Sequence, residues 1–336
     1  MQAILLAPGA RFLAVLLFLL TACTNVSHPV ATPVSAPPGA PSVELFVEPD
    51  DGVQPIVRFV DSSQRTLDVA MYLLSDRDLV AALERARQRG VHIRVMLEEH
   101  PYGSGPGNRT IYNRLKSANI AVNWSPTTFQ LSHDKYAVAD QQVALVGTPN
   151  WTLSAVTHNR EYFVLDHDPN DVKALSTLFD ADWQRRQVTL ADPHLVLSPS
   201  NSRADLLGLI GSAQHQIDLE AEEMQDSGIE TALTQAASRG VQVRVVLPRP
   251  DAGQTDSNAA GEKVLNEHGA QVRKLRDPYV HAKDVIVDGQ EAFVGSENIS
   301  KESLDQNREV GLLISDQTAI KRLSATFARD WTSAQP

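Results

Sequence analysis

Two segments of this chain carry the same order of apolar and polar positions. In the first, Thr66–Leu73 is a nearly continuous apolar run of strand length. Ser75, with Asp78 three residues on, reads as a capping box opening a helix through Arg89. Gly90 stops that helix, and Val91–Leu97 then alternates apolar with polar, the period of a strand. The second segment repeats the order: a strand over Gln216–Ala221, Ser227 with Glu230, a helix to Arg239, Gly240, and an alternating strand over Val241–Leu247. Each is followed by a glycine-containing stretch (His100–Thr110, Pro248–Gly261), a further helix and short strands. A closing helix ends near Trp183 in one case and Trp331 in the other. Strands alternating with helices, twice over, predict two α/β lobes with helices covering the sheets. Pro193 and Pro199 interrupt the periodicity, so the lobes are expected at 42–190 and 191–336, and the glycine-rich stretches are candidates to rim a site. A chain of 336 residues is long enough for both to bury real cores.

The repeat extends to polar residues. His133-Asp134-Lys135, Asp140, Gly147-Thr148-Pro149-Asn150 and Asn159-Arg160-Glu161 recur as His281-Ala282-Lys283, Asp288, Gly295-Ser296-Glu297-Asn298 and Asn307-Arg308-Glu309. Every matched pair is 148 positions apart, as are the two tryptophans. On a strand, side chains at i and i+2 share a face, so each lysine points the same way as its histidine. Two histidines, two lysines and two asparagines supply what phosphodiester cleavage needs: a nucleophile, an acid for the leaving alkoxide, and donors for the phosphoryl oxygens. Glu161 and Glu309 each fall 28 residues after a histidine. A carboxylate on the far ring nitrogen would set the tautomer and raise basicity, so each is expected behind its own histidine. Asp140 and Asp288 are expected to anchor backbone or a basic side chain, and Arg160 and Arg308 to form ion pairs that hold the fold. His158 and His215 lack metal-ligand spacing, and no metal site or cofactor is expected.

Other features bound the setting. Arg11 precedes an apolar run, Phe12–Leu20, too short to span a bilayer but suited to a signal-peptide core. Leu20-Thr21-Ala22-Cys23 resembles a bacterial lipobox, which implies a signal over 1–23 and lipidation at Cys23. Thr24, in place of Asp, implies the outer membrane where a cell has two, and otherwise the outer face of the cell membrane. Cys23 is the only cysteine, which excludes a disulfide framework. Residues 24–41, rich in Pro, Ala, Ser and Thr, read as a semi-extended tether. The net charge is −11, with −4 on residues 42–190 and −8 on 191–336. That balance disfavours sequence-independent nucleic-acid binding.

The doubled His-x-Lys-x(4)-Asp with Gly-[Ser/Thr]-x-Asn resembles the phospholipase D superfamily across residues 42–336. The resemblance implies two lobes forming a pseudo-dimer with one shared, metal-free active site. It further implies His133 as the nucleophile that becomes a phosphohistidine, and His281 as the acid that protonates the leaving alcohol and then activates water. Lys135, Lys283, Asn150 and Asn298 would bind the phosphoryl oxygens, and a carboxylate in the position of Glu161 and Glu309 would orient each histidine. Two departures stand out: Pro149 replaces the more usual serine, and Glu220, Glu222 and Glu223 cluster where the first lobe has apolar residues. A solvated face is the plainer expectation for those glutamates; facing the pocket instead, they would repel an anionic substrate.

The flanks leave two readings, an apolar side facing a cationic side that suits an amphiphilic substrate, or a core aromatic pair and a solvated basic strand. Trp124 and Phe129 precede the first motif, and Arg273, Lys274 and Arg276, with Tyr279, precede the second. Secretion, a lipid anchor and acidity favour a phospholipase D-type hydrolase that releases phosphatidate and a head group at a membrane surface. A sequence-nonspecific endonuclease is the alternative, since the same residues would stack and neutralise single-stranded nucleic acid. Phosphatidyl transfer of the cardiolipin-synthase kind ranks lower, as does an inactive envelope scaffold. The internal repeat suits a monomer.

Overall fold

The computed structural model describes residues 43–103, 105 and 107–336; the expected signal segment, Cys23 and the tether lie outside them. Lobe 1 runs β1 (Val43–Glu48), α1 (Gln54–Ser62), β2 (Thr66–Met71), α2 (Arg77–Gln88), β3 (His92–Leu97), α3 (Arg109–Ser117), β4 (Ala121–Trp124), β5 (Lys135–Ala139), β6 (Val143–Gly147), α4 (Leu153–Thr157), β7 (Asn159–Asp166) and α5 (Pro169–Trp183). Lobe 2 runs β8 (Leu195–Ser198), α6 (Ser202–Ser212), β9 (Gln216–Ala221), α7 (Ser227–Ser238), β10 (Gln242–Pro248), α8 (Ala259–Glu267), β11 (Gln271–Leu275), β12 (Tyr279–Val280), β13 (Lys283–Val287), β14 (Glu291–Gly295), α9 (Lys301–Asp305), β15 (Glu309–Ile314) and α10 (Gln317–Ser333).

The two sheets have one topology. The order β1-β7-β6-β5-β2-β3-β4 in lobe 1 matches β8-β15-β14-β13-β9-β10-β11 in lobe 2. In each, three strands joined by helical crossovers are parallel and the rest antiparallel. Period-two alternation splits each strand between two cores. Leu67, Val69 and Met71 face the outer core of lobe 1 under α1 and α2, whereas Ala70 faces a central core. That central core is common property: Tyr136, Val164 and Phe179 of lobe 1 pack there with Val294, Leu312 and Phe327 of lobe 2. The matched tryptophans have one task. Arg94, paired to Asp68 at 2.7 Å, lies over Phe179 and Trp183; Arg244, paired to Asp218 at 2.7 Å, lies over Phe327 and Trp331.

The helix starts differ from expectation. Asp76 and Asp226, not Ser75 and Ser227, are the N-caps of α2 and α7, each accepting from two backbone N–H groups. A carboxylate there adds charge–dipole attraction that a serine hydroxyl lacks. Asp140 and Asp288 hold backbone, each accepting three N–H bonds, from residues 64–66 and 214–216. They tie the turn after β5 or β13 to the start of β2 or β9.

The lobes exchange short segments. Lobe 2's β12 pairs parallel with β7, Tyr279 against Asn159 and Val280 against Arg160, and reciprocally Ser132 bridges Arg308. Arg160 and Arg308 are cross-lobe clamps. Arg160 binds Asp330 on α10 at 2.5 and 3.1 Å and the Glu48 carbonyl at 2.6 Å, while Arg308 binds Asp182 on α5 at 3.0 Å. Arg160 and Asp330 are both nearly fully buried. Arg160→Ala leaves the Asp330 carboxylate without its partner in the interior, so it is expected to cost about 3–5 kcal/mol of stability, read by chemical denaturation.

Candidate active site

Each histidine enters the site from one lobe and is braced by the other. The chain ahead of His133 runs beside the strand entrance of lobe 2: Gln130 donates to the Gln306 carbonyl at 3.0 Å, and His133 to the Arg308 carbonyl at 2.8 Å. Ahead of His281, Tyr279 donates to the His158 carbonyl at 3.1 Å, and His281 to the Arg160 carbonyl at 3.2 Å. This pairing aligns each imidazole with the glutamate that follows the arginine on the facing strand. His133 Nδ1 lies 2.8 Å from Glu309, and His281 Nδ1 lies 2.8 Å from Glu161. The expectation that each glutamate backs its own histidine is therefore corrected. The pairs are crossed.

The braces are polar and buried. Glu161 accepts from Thr148 Oγ1 at 2.6 Å and Asn159 Nδ2 at 3.2 Å; Glu309 accepts from Ser303 Oγ at 2.7 Å and Asn307 Nδ2 at 3.1 Å. Burial alone would raise the Glu309 carboxyl, but the hydrogen bonds from His133 and Ser303 and the charge of Lys135 hold it below the usual range. The Gly-[Ser/Thr] pair of each motif follows from the same packing. A Cβ on Gly147 would sit 2.4 Å from the Tyr162 carbonyl, and one on Gly295 2.5 Å from Gly311 Cα. Thr148 and Ser296 next door accept from the backbone of Tyr162 and Val310 at 3.0 Å, locking β7 and β15 in place.

Lys135 and Lys283 begin β5 and β13, are almost fully buried, and donate to the carbonyls of His133 (2.5 Å) and His281 (2.6 Å). Asn150 and Asn298 lie just past the ends of β6 and β14, between the strands that carry the lysines and the glutamates. Their Oδ1 atoms are buried and accept no hydrogen bond. All eight candidate residues thus lie at the meeting end of the two sheets.

The two halves differ at one position. Tyr72, just past β2, turns its ring edge-on to His133 at 4.5 Å and lies under Lys135 Nζ at 5.1 Å. Its counterpart past β9 is Glu222, whose carboxylate binds Lys283 at 2.7 Å and approaches His281 Nε2 at 3.3 Å. Burial would raise Glu222, but His281 and Lys283 pull it down to about 2. On the other side burial dominates: it lowers His133 to about 4 against the pull of Glu309, and lowers Lys135 to about 7. One imidazole is kept neutral beside an aromatic ring. The other sits between two carboxylates, Glu161 and Glu222.

The profile of the family described as cardiolipin synthase, PLD-like domain, matches residues 56–183 and again 206–331. The chain belongs to that family, within the phospholipase D superfamily. A cardiolipin synthase of Listeria monocytogenes is 23% identical over 333 residues, covering 86% of this chain and 68% of that protein. A mitochondrial cardiolipin hydrolase of Xenopus laevis is 32% identical over 122 residues, 36% of this chain and 56% of that protein. The crystal structure of phosphatidylserine synthase from Haemophilus influenzae shares the fold with a TM-score of 0.66 at 12% identity, covering 88% of this chain and 87% of that one.

The PLD-like site differs from the sequence reading in two further places. The glutamate cluster is not a solvated face. Glu220 is buried between the lobes, accepts from Tyr162 Oη at 2.5 Å and is pushed up to about 8 by burial; Glu222 enters the site; Glu223 lines a cavity of about 320 Å³ beside it with Tyr279 and Arg276. The one signal for Glu222 was the break in the repeat against Tyr72. The basic strand is not an open cationic wall either. Arg273 lies on the Trp331 ring at 4.3 Å, and Lys274 is held by Asp256 and Glu262 at 2.5 and 2.6 Å. Phe129 lies under Arg308 at 4.1 Å, and Trp124 stacks on Tyr112 at 4.1 Å.

The asymmetry has a kinetic consequence. With one histidine as nucleophile and the other as acid, kcat/KM is expected to follow a bell-shaped pH profile. With His133 lowered, the acid limb is expected well below the usual histidine range. Glu222→Gln removes the carboxylate that lies 3.3 Å from His281 Nε2 and 2.7 Å from Lys283 and is expected to lower kcat/KM. An unchanged kcat/KM, measured across pH 4–10, would show that Glu222 takes no part in the reaction.

Proposed function

We propose that this chain is a phospholipid phosphodiesterase that works through a phosphohistidine on His133 and resolves it with water, leaving phosphatidate and a free head-group alcohol. The observation that carries the reading is the pair of crossed His–Glu braces facing each other with unlike surroundings. His133, neutral and with Nδ1 held by Glu309, presents Nε2 to phosphorus. The P–O bond to the head group breaks as His281 gives its proton to the leaving oxygen. His281 then takes a proton from water, which attacks phosphorus and releases His133. Lys135, Lys283, Asn150 and Asn298 are the proposed donors to the phosphoryl oxygens, where charge builds in both steps. Acidity and the internal pairing of Arg273 and Lys274 weigh against the endonuclease alternative. Lipidation at Cys23 is the proposed anchor that holds this chemistry at a membrane of the cell envelope.

A second reading, transfer of the phosphatidyl group to an alcohol, is supported by the cardiolipin synthase relatives, whose likeness spans most of the chain. It differs only in which hydroxyl His281 activates. The test incubates the protein, in the presence of chelator, with mixed phospholipid vesicles, with and without added glycerol and phosphatidylglycerol, and separately with plasmid and single-stranded DNA. Phosphatidate as the main product supports hydrolysis; new phosphatidyl lipids in its place establish transfer; DNA nicking with no lipid turnover overturns both.

A further inference from the structure

Away from the active site, three carboxylates and an imidazole converge where β7 hands over to α5. Single ligand atoms of Asp168, Asp171 and His194 all lie within 4.8 Å of one another. His194 Nδ1 is 3.1 Å from Asp171, which joins the segment between the lobes to the first turn of α5. Asp166, at the end of β7, is fully buried; its Oδ1 accepts from the Asp168 backbone at 2.9 Å, and its Oδ2 is buried with no hydrogen-bond partner. All four residues line one cavity of about 60 Å³, room for an ion and little more.

The fold does not ask for this cluster, and the repeat supplies the control. The same strand-to-helix junction recurs in lobe 2, where Asp316 caps α10 as Asp168 caps α5. At the positions of Asp166 and Asp171, however, lobe 2 has Ile314 and Ala319. An apolar pair therefore closes this junction adequately, and burying two carboxylates in its place is costly unless a cation faces them. Neither Asp166 nor Asp171 has a lysine or arginine partner among the described ion pairs.

We propose that Asp166, Asp168, Asp171 and His194 form a binding site for one divalent cation of the Zn²⁺ class, which ties α5 to the segment joining the lobes. Imidazole nitrogen with carboxylate oxygens is a donor set for such an ion, and the site is separate from the phosphodiester chemistry. The test titrates Zn²⁺ into the chelator-stripped full-length protein by calorimetry and follows thermal unfolding alongside. One equivalent is expected to bind and to raise the unfolding midpoint, because an ion that binds only the folded state stabilises it. His194→Ala, at a half-exposed position that should not disturb folding, and Asp171→Asn are each expected to weaken binding at least tenfold and to abolish the midpoint shift. Failure of the wild type to bind one equivalent, or equal affinity in both variants, overturns the proposal.

Discussion

His133→Ala abolishes formation of a phosphorylated enzyme, whereas His281→Ala lets the intermediate form slowly and accumulate. This is the expected result of rapid-quench experiments with phospholipid labelled at phosphorus. Without His133 no side chain in the site takes its role, because Lys135 is directed to a backbone carbonyl and over the Tyr72 ring. Turnover should fall to background. Without His281 the nucleophile remains but two proton transfers are lost. Each such transfer is worth about 10²–10⁴ in rate, so both formation and breakdown slow, and the second lacks any activated water. Equal accumulation in the two variants would reverse or dissolve the assignment. Full activity in either would remove the shared site altogether.

The next largest effect is expected at the crossed glutamates. Glu309→Gln should slow formation of the intermediate, and Glu161→Gln should slow both its formation and its breakdown, each by about 10²–10⁴, because the amide neither holds the tautomer nor balances the imidazolium. Each variant should thus resemble loss of the histidine in the other lobe's numbering: Glu309 with His133, Glu161 with His281. Double-mutant cycles decide between this and own-lobe pairing. Glu161→Gln combined with His281→Ala should form the intermediate no more slowly than His281→Ala alone, whereas Glu309→Gln combined with His281→Ala should form it more slowly still.

Much of the fold was legible because its signals are local. Gly90 and Gly240 end α2 and α7 with φ of +94° and +92°, a conformation that favours glycine, and both strands on either side of each helix fall where the apolar pattern puts them. Asp140 and Asp288 were readable as anchors for a related reason: their partners are backbone groups of a neighbouring turn, present whatever the other lobe does. The errors arose where the partners are particular side chains rather than backbone. Glu222 resembled a surface glutamate because nothing near it in sequence reveals Lys283 and His281 beside it. Lys274 resembled a free cation because Asp256 and Glu262 reach it from a loop and a helix.

The repeat alone determined the inventory of this protein: two histidines, two lysines, two asparagines and two glutamates, in two α/β lobes of one plan. A duplicated spacing is a property of the chain and needs no coordinates to be seen. What only the tertiary structure decided is who partners whom. Glu161 stands 28 residues after His133 in sequence but serves His281, since β12 pairs along β7 and the segment ahead of His133 pairs along the entrance to β15. Strand pairing between lobes sets which carboxylate meets which ring, and Tyr72 facing Glu222 makes two near-identical motifs unlike. Charge neutralisation across an interface of that kind depends on distance in space, which spacing along the chain does not encode.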